Sequence, residues 1–75
     1  MNTNHVIALA AQYFNVNPTT LAAKDDIFES LNIDSVQALE LLTELEFELD
    51  IEIPDYDLRD VRTFQELTEL IKRRR

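Results

Sequence analysis

Apolar residues recur at helical spacing in three stretches of this chain and are scattered between them. Val6, Leu9, Ala10 and Tyr13 share one stripe of a first helix, flanked by Ile7 and Phe14, with Thr3 and Asn4 placed to cap it. Asn15, Asn17 and Pro18 break this pattern and begin a long connection to about Ile33. Within it Leu21, Ile27, Phe28 and Leu31 are apolar enough to pin the segment onto a core, and Lys24 to Leu31 has room for a helical turn. The second stretch is the clearest. Asp34 and Gln37 stand at capping-box spacing, and the helical period continues to about Asp50 with Ala38, Leu41, Leu42, Leu45 and Leu49 on the core stripe. Its opposite side carries Val36, Glu40, Thr43, Glu44 and Phe47, apolar residues set among acids, which suits a partner-binding face as well as ordinary exposure. Ile51-Glu52-Ile53-Pro54 is too short to need a sheet partner and predicts a loop held to the core by Ile51 or Ile53, with Pro54 halting the helix. Asp57 is placed to cap a short turn through Leu58 and Val61. Thr63 and Glu66 form a second capping box, opening a last helix with Phe64, Leu67, Leu70 and Ile71 apolar. The expected fold is all-α, a small four-helix bundle of three main helices and one short helix.

Length and composition narrow this picture. Residues 1–75 make one domain, since an independent core needs about 50 residues or more. With no Cys and a single His, neither disulfides nor a structural metal stabilise it, so stability must come from helix packing. The absence of Gly argues against tight hairpins and against a Gly-rich phosphate-cradling loop.

The net charge of −8 is segregated: no basic residue lies between Lys24 and Arg59, while most of the fifteen carboxylates do, from Asp25 and Asp26 to Asp55 and Asp57. Such a field repels nucleic acid and anionic lipid, so neither nucleic-acid binding nor membrane insertion is expected. It attracts basic protein surfaces, or it serves only to keep a small protein soluble. Lys72 to Arg75 suit the last turn of a helix, where cations offset the dipole. Met1 to His5 lack the basic region and apolar run of a secretory leader, and no stretch approaches membrane-spanning length, so a cytoplasmic location is expected. The protein is also expected to be a monomer.

The candidates for chemistry are few. His5 is alone near the terminus, and Glu40 with Glu44 at i, i+4 makes a solvated acidic face rather than an opposed acid/base pair. Asp50, Glu52, Asp55, Asp57 and Asp60 offer oxygen ligands but lack the Gly and final Glu of an EF-hand loop, so no defined metal site is expected beyond weak divalent binding. Ser35 follows an acidic cap in the first turn of the best helix, where the dipole and unpaired amides favour a phosphate on its oxygen. Serines at helix starts are also common as plain caps, and the position alone leaves both readings open.

Leu31-Asn32-Ile33-Asp34-Ser35-Val36, then Glu40-Leu41, Glu44-Leu45-Glu46 and Ile51-Glu52-Ile53-Pro54-Asp55, resemble the acyl carrier protein family: its Asp-Ser-Leu attachment motif, acidic helix and Ile-Glu-Ile-Pro loop. The similarity runs from Leu31 to Ile71. It implies a bundle of acyl-carrier type in which 4′-phosphopantetheine, derived from coenzyme A, is joined to Ser35 by a phosphodiester. The implied function is that of a carrier and not an enzyme, holding acyl groups as thioesters in fatty acid, polyketide or specialised lipid biosynthesis. The lack of Cys fits, because the working thiol belongs to the arm.

By the same resemblance, Asp34 helps a phosphopantetheinyl transferase engage Ser35. Val36, Gln37, Glu40, Glu44, Glu46 and Phe47 form the face that meets basic patches on that transferase and on acyl-transferring and synthase enzymes. Leu42, Leu45, Ile53, Leu58 and Val61 line a cleft for the acyl chain. The chain departs from the family pattern at Asn32, usually Gly, at Val36, commonly Leu, and at Phe47, usually acidic in fatty-acid synthase carriers. Rival readings are a peptidyl or aminoacyl carrier, an unmodified acidic helical adaptor and a small calcium-binding protein.

Overall fold

Three long helices form the body of the computed structural model, which describes residues 2–74: α1 (Thr3–Phe14), α3 (Ser35–Leu49) and α4 (Phe64–Arg74). A five-residue helix, α2 (Ile27–Leu31), lies on the long connection, and short 3-10 turns span Pro18–Thr20 and Asp55–Asp60. Met1 and Arg75, each part of an expectation above, lie outside the described residues.

The termini of these helices show how a chain without glycine turns its corners. Asn15 ends α1, Asn32 ends α2 and Asp50 ends α3, each in the left-handed region at φ of 58°, 56° and 55°. Asn and Asp tolerate this region better than other residues bearing a Cβ, so they replace the usual glycine at the C-terminus. At the other ends, Asp34 accepts from the Gln37 N–H at 2.9 Å while the Gln37 side chain accepts from the Asp34 N–H at 3.1 Å, the box expected from the sequence. Thr63 and Glu66 form the second, with Thr63 Oγ1 accepting from the Glu66 N–H at 3.1 Å and Glu66 accepting from the Thr63 N–H at 3.0 Å.

Two caps differ from expectation. Asn2, not Thr3 or Asn4, caps α1 by accepting from the His5 N–H. Asp57 lies inside the second 3-10 turn, which begins at Asp55 with Pro54 before it. Its carboxylate instead accepts from Arg74 Nε at 3.0 Å, tying this turn to the end of α4.

The core gathers Val6, Ile7 and Ala10 of α1, Leu41, Leu42 and Leu45 of α3, and Phe64, Leu67, Leu70 and Ile71 of α4. Each fully buried Leu or Phe contributes about 1.5–3 kcal/mol, and three helices sharing one such cluster replace the missing disulfides. Thr68 is buried among them, its hydroxyl donating to the Phe64 carbonyl at 2.8 Å. The α1 stripe is rotated from the sequence expectation: Ala11 is buried and Tyr13 is 40 % exposed. Tyr13 instead meets Phe14 edge to face, ring centroids 5.0 Å apart.

Ile53 seats the loop after α3, as expected, and Ile51 packs partly against the core. The long connection is held by backbone: the Ile27 N–H donates to the Arg62 carbonyl at 2.7 Å and the Gln65 N–H to the Ala23 carbonyl at 2.9 Å. Among the described residues no helix is long and apolar enough to cross a membrane.

Candidate functional site

Ser35 is the first residue of α3, exposed, on the rim of a cleft of about 320 Å³. One wall comprises Ala38 and Leu39 of α3 and Phe28 of α2, and the other is the stretch from Asp55 through Leu58, Arg59 and Val61 to Arg62. The local sequence puts the serine there: the Asp34 capping box holds the helix start, and Ala38 and Leu39 fall on the same side as residue 35 one turn on. The chain's other serine, Ser30, has its hydroxyl committed to the Asp26 carbonyl at 2.6 Å.

Behind the cleft lies a small apolar void of about 10 Å³, sharing Phe28, Ala38, Leu58 and Val61 with it and reaching Ile27, Leu41, Leu42 and Leu67. The structure thus brings Leu42, Leu58 and Val61 together between α3 and the second 3-10 turn. Leu45 does not join them; it lines a separate groove with Leu9 and Tyr13 of α1, and Glu44 lies there too. Ile53 is buried under the loop. Ile27, Phe28 and Ala38 complete the inner wall. Their apolar character was plain in the sequence, but nothing local said that α2 would fold over the start of α3.

The acidic face of α3 divides in the same way. Val36, Glu40 and Phe47 follow one stripe pointing outward, with Val36 62 % and Phe47 81 % exposed. Gln37 is exposed, but its side-chain oxygen serves the capping box. Glu46 is turned to the loop, where its carboxylate accepts from the Ile53 N–H at 2.8 Å. Among the described residues no three of His, Cys, Asp or Glu gather into a metal site, so the Asp50 to Asp60 acids do not converge on one point.

Two arginines stand out against this acidic surface. Arg62 donates from Nε and a terminal nitrogen to Asp26, at 3.1 and 2.8 Å, and its guanidinium lies 5.2 Å from the Phe28 ring centre. The Glu29 N–H at Asp26, and next the Arg62 guanidinium, hold the Asp26 carboxyl below the ordinary carboxylate range. The N–H groups of Arg62 and Thr63 do the same for Glu66. Among the described residues Arg59 donates only to the Tyr56 carbonyl, at 3.4 Å.

Residues 4–71 match the family model described as "Phosphopantetheine attachment site". An acyl carrier protein of Thermosynechococcus vestitus is 31 % identical over 75 residues, covering 95 % of this chain and 93 % of that protein. One from Bdellovibrio bacteriovorus is 27 % identical over 66 residues, 88 % of this chain and 85 % of that protein. One from Rickettsia canadensis is 29 % identical over 69 residues, 92 % of this chain and 80 % of that protein. The chain belongs to the acyl carrier protein family.

Membership brings a covalently attached 4′-phosphopantetheine. The residues present fit that group: an exposed serine hydroxyl, at a helix start whose free amides favour a phosphate, opens onto a cleft with an apolar back wall. When attached, the group supplies a thiol that holds an acyl chain as a thioester.

Proposed function

We propose that Ser35 bears the phosphopantetheine arm and that the protein carries acyl groups on it between enzymes of fatty acid, polyketide or specialised lipid biosynthesis. The observation that carries this reading is the exposure of Ser35 on the rim of an apolar-backed cleft, within a chain matched to the family over residues 4–71. The protein is a carrier and not a catalyst: its own side chains position the arm, and partner enzymes supply the chemistry. Asp34 fixes the helix start that presents the hydroxyl to the transferase. Val36, Glu40 and Phe47 offer that enzyme and the acyl-handling enzymes an apolar and acidic stripe that complements a basic patch. In this reading the protein works as a monomer in the cytoplasm.

The test is incubation with coenzyme A and a phosphopantetheinyl transferase, followed by mass measurement. Wild type is expected to gain one phosphopantetheine and Ser35→Ala none, with both proteins folded by circular dichroism. A modified Ser35→Ala moves the site elsewhere, and an unmodified wild type makes the protein an acidic adaptor.

A further inference from the structure

The cleft that Ser35 rims holds a cation with no carboxylate partner among the described residues. Between Lys24 and Arg59 the sequence has no basic residue, and the first two to appear, Arg59 and Arg62, both line the cleft that Ser35 rims. Arg62 is spent: two hydrogen bonds tie it to Asp26, and Phe28 lies under it. Arg59 has no carboxylate within ion-pair distance among the described residues, only the long bond to the Tyr56 carbonyl. Arg59 is exposed and lines the cleft, so its planar guanidinium is open to an anion there.

We propose that Arg59 is the counter-cation of the arm, its guanidinium closing on the phosphodiester attached to Ser35. This rests on the reading of Ser35 as the attachment site. Two facts favour the phosphodiester over an anionic end of the cargo. A phosphate on the serine oxygen lies at the cleft mouth whatever the cargo, whereas the cargo is at the far end of the arm. The inner void that a cargo would enter is walled by Ile27, Leu41, Leu42 and Leu67 and offers no cation there.

Electrostatics give the pairing its purpose. The phosphodiester keeps its negative charge at any physiological pH, and it stands between Asp34, next in sequence, and Asp55 on the opposite wall. Arg59 offsets that repulsion, and a planar guanidinium meets two phosphate oxygens at once. The pairing also lays the root of the arm across the cleft, directing the remainder toward the apolar wall.

The experiment compares apo and holo forms of the wild type, Arg59→Gln and Arg59→Lys, with mass measurement establishing that each holo form is loaded. On loading, the Arg59 Nε–H resonance of the wild type is expected to shift and its hydrogen exchange to slow, and the phosphorus resonance of the arm to broaden. Arg59→Gln should return the phosphorus line to that of a free arm and remove a holo-specific rise in Tm of ~2 °C, and Arg59→Lys should keep part of both. Salt at 0.5 M should erase the difference between wild type and Arg59→Gln.

A loaded wild type whose Arg59 resonance and phosphorus line are unmoved overturns the proposal while leaving Ser35 in place. An Arg59 shift that appears only with a succinyl cargo, and not with the bare arm, overturns it in favour of cargo recognition. A wild type that takes no arm defeats the reading of Ser35, and this proposal with it.

Discussion

At the scale of single residues, the carboxylates differ sharply in what they do. Glu40 faces water, Glu46 holds the Ile53 amide, and Asp26 both caps α2 and receives Arg62. No sequence pattern separates Glu46 from Glu40, because the partner of Glu46 is the backbone of a loop seven residues on. The consequence for Asp26 is measurable. Its carboxyl titrates below the ordinary value because the Glu29 N–H and then Arg62 favour the charged form. A depressed folded-state pKa contributes stability that is present above the unfolded value and is lost as pH falls through the folded one. The urea midpoint of the wild type should therefore exceed that of Asp26→Asn by a constant amount from pH 7 down to about pH 5, and the gap should close below about pH 4. A gap independent of pH would show that neither the Glu29 N–H nor Arg62 favours the charged carboxylate over the neutral one.

At the scale of the elements, the starts of α3 and α4 and the ends of α1 near Asn15 and of α3 near Asp50 were legible, and the cap of α1 was not. A capping box is a pair of residue types at fixed spacing, so Asp34 with Gln37 and Thr63 with Glu66 declare themselves. The end of a helix depends on which residue adopts positive φ, and without glycine that role falls to Asn15, Asn32 and Asp50. Asn32 shows the cost of this solution. It stands at φ 56° between α2 and α3, three residues before Ser35. Asn32→Ala should destabilise the fold by about 1 kcal/mol, because alanine adopts the left-handed region less readily than asparagine. In a domain of this size that lowers Tm by about 4–8 °C. Asn32→Gly, at the residue type common in the family, should stay within about 0.5 kcal/mol of wild type. Equal melting of all three proteins would mean that the turn relaxes out of the left-handed region.

At the scale of the whole molecule, α3 separates two unlike spaces. On one side is the cleft of Ser35 with its apolar void, and on the other the groove against α1 lined by Leu9, Tyr13 and Leu45. The void, at about 10 Å³, is no larger than one water, so an acyl chain has to part α3 from the second 3-10 turn to enter. Each methylene removed from water contributes about 0.8 kcal/mol, enough for a medium chain to offset a repacking cost of about 1–3 kcal/mol. The octanoyl form should therefore melt above the unacylated holo form. Leu42→Ala should lower both midpoints and change the difference between them. Leu45→Ala, at a residue that lines the groove against α1, should lower both and leave the difference alone. Octanoyl and unacylated forms that melt together would place the chain in solvent.

What the sequence determined by itself was whatever depends on neighbours along the chain: three amphipathic helices, two capping boxes, an acidic middle without a cation, and the Asp-Ser motif within the acidic helix pattern. The tertiary structure alone decided which side chains meet across the bundle. The rotation of α1 that buries Ala11 and frees Tyr13, the closure of α2 over Ala38, and the assignment of Leu42 to one space and Leu45 to the other follow from packing three helices against one another. Period and spacing place a residue on a face to within one helical neighbour. The choice between neighbours belongs to the side chains arriving from elsewhere, and these put Arg59 and Ser35 on one cleft.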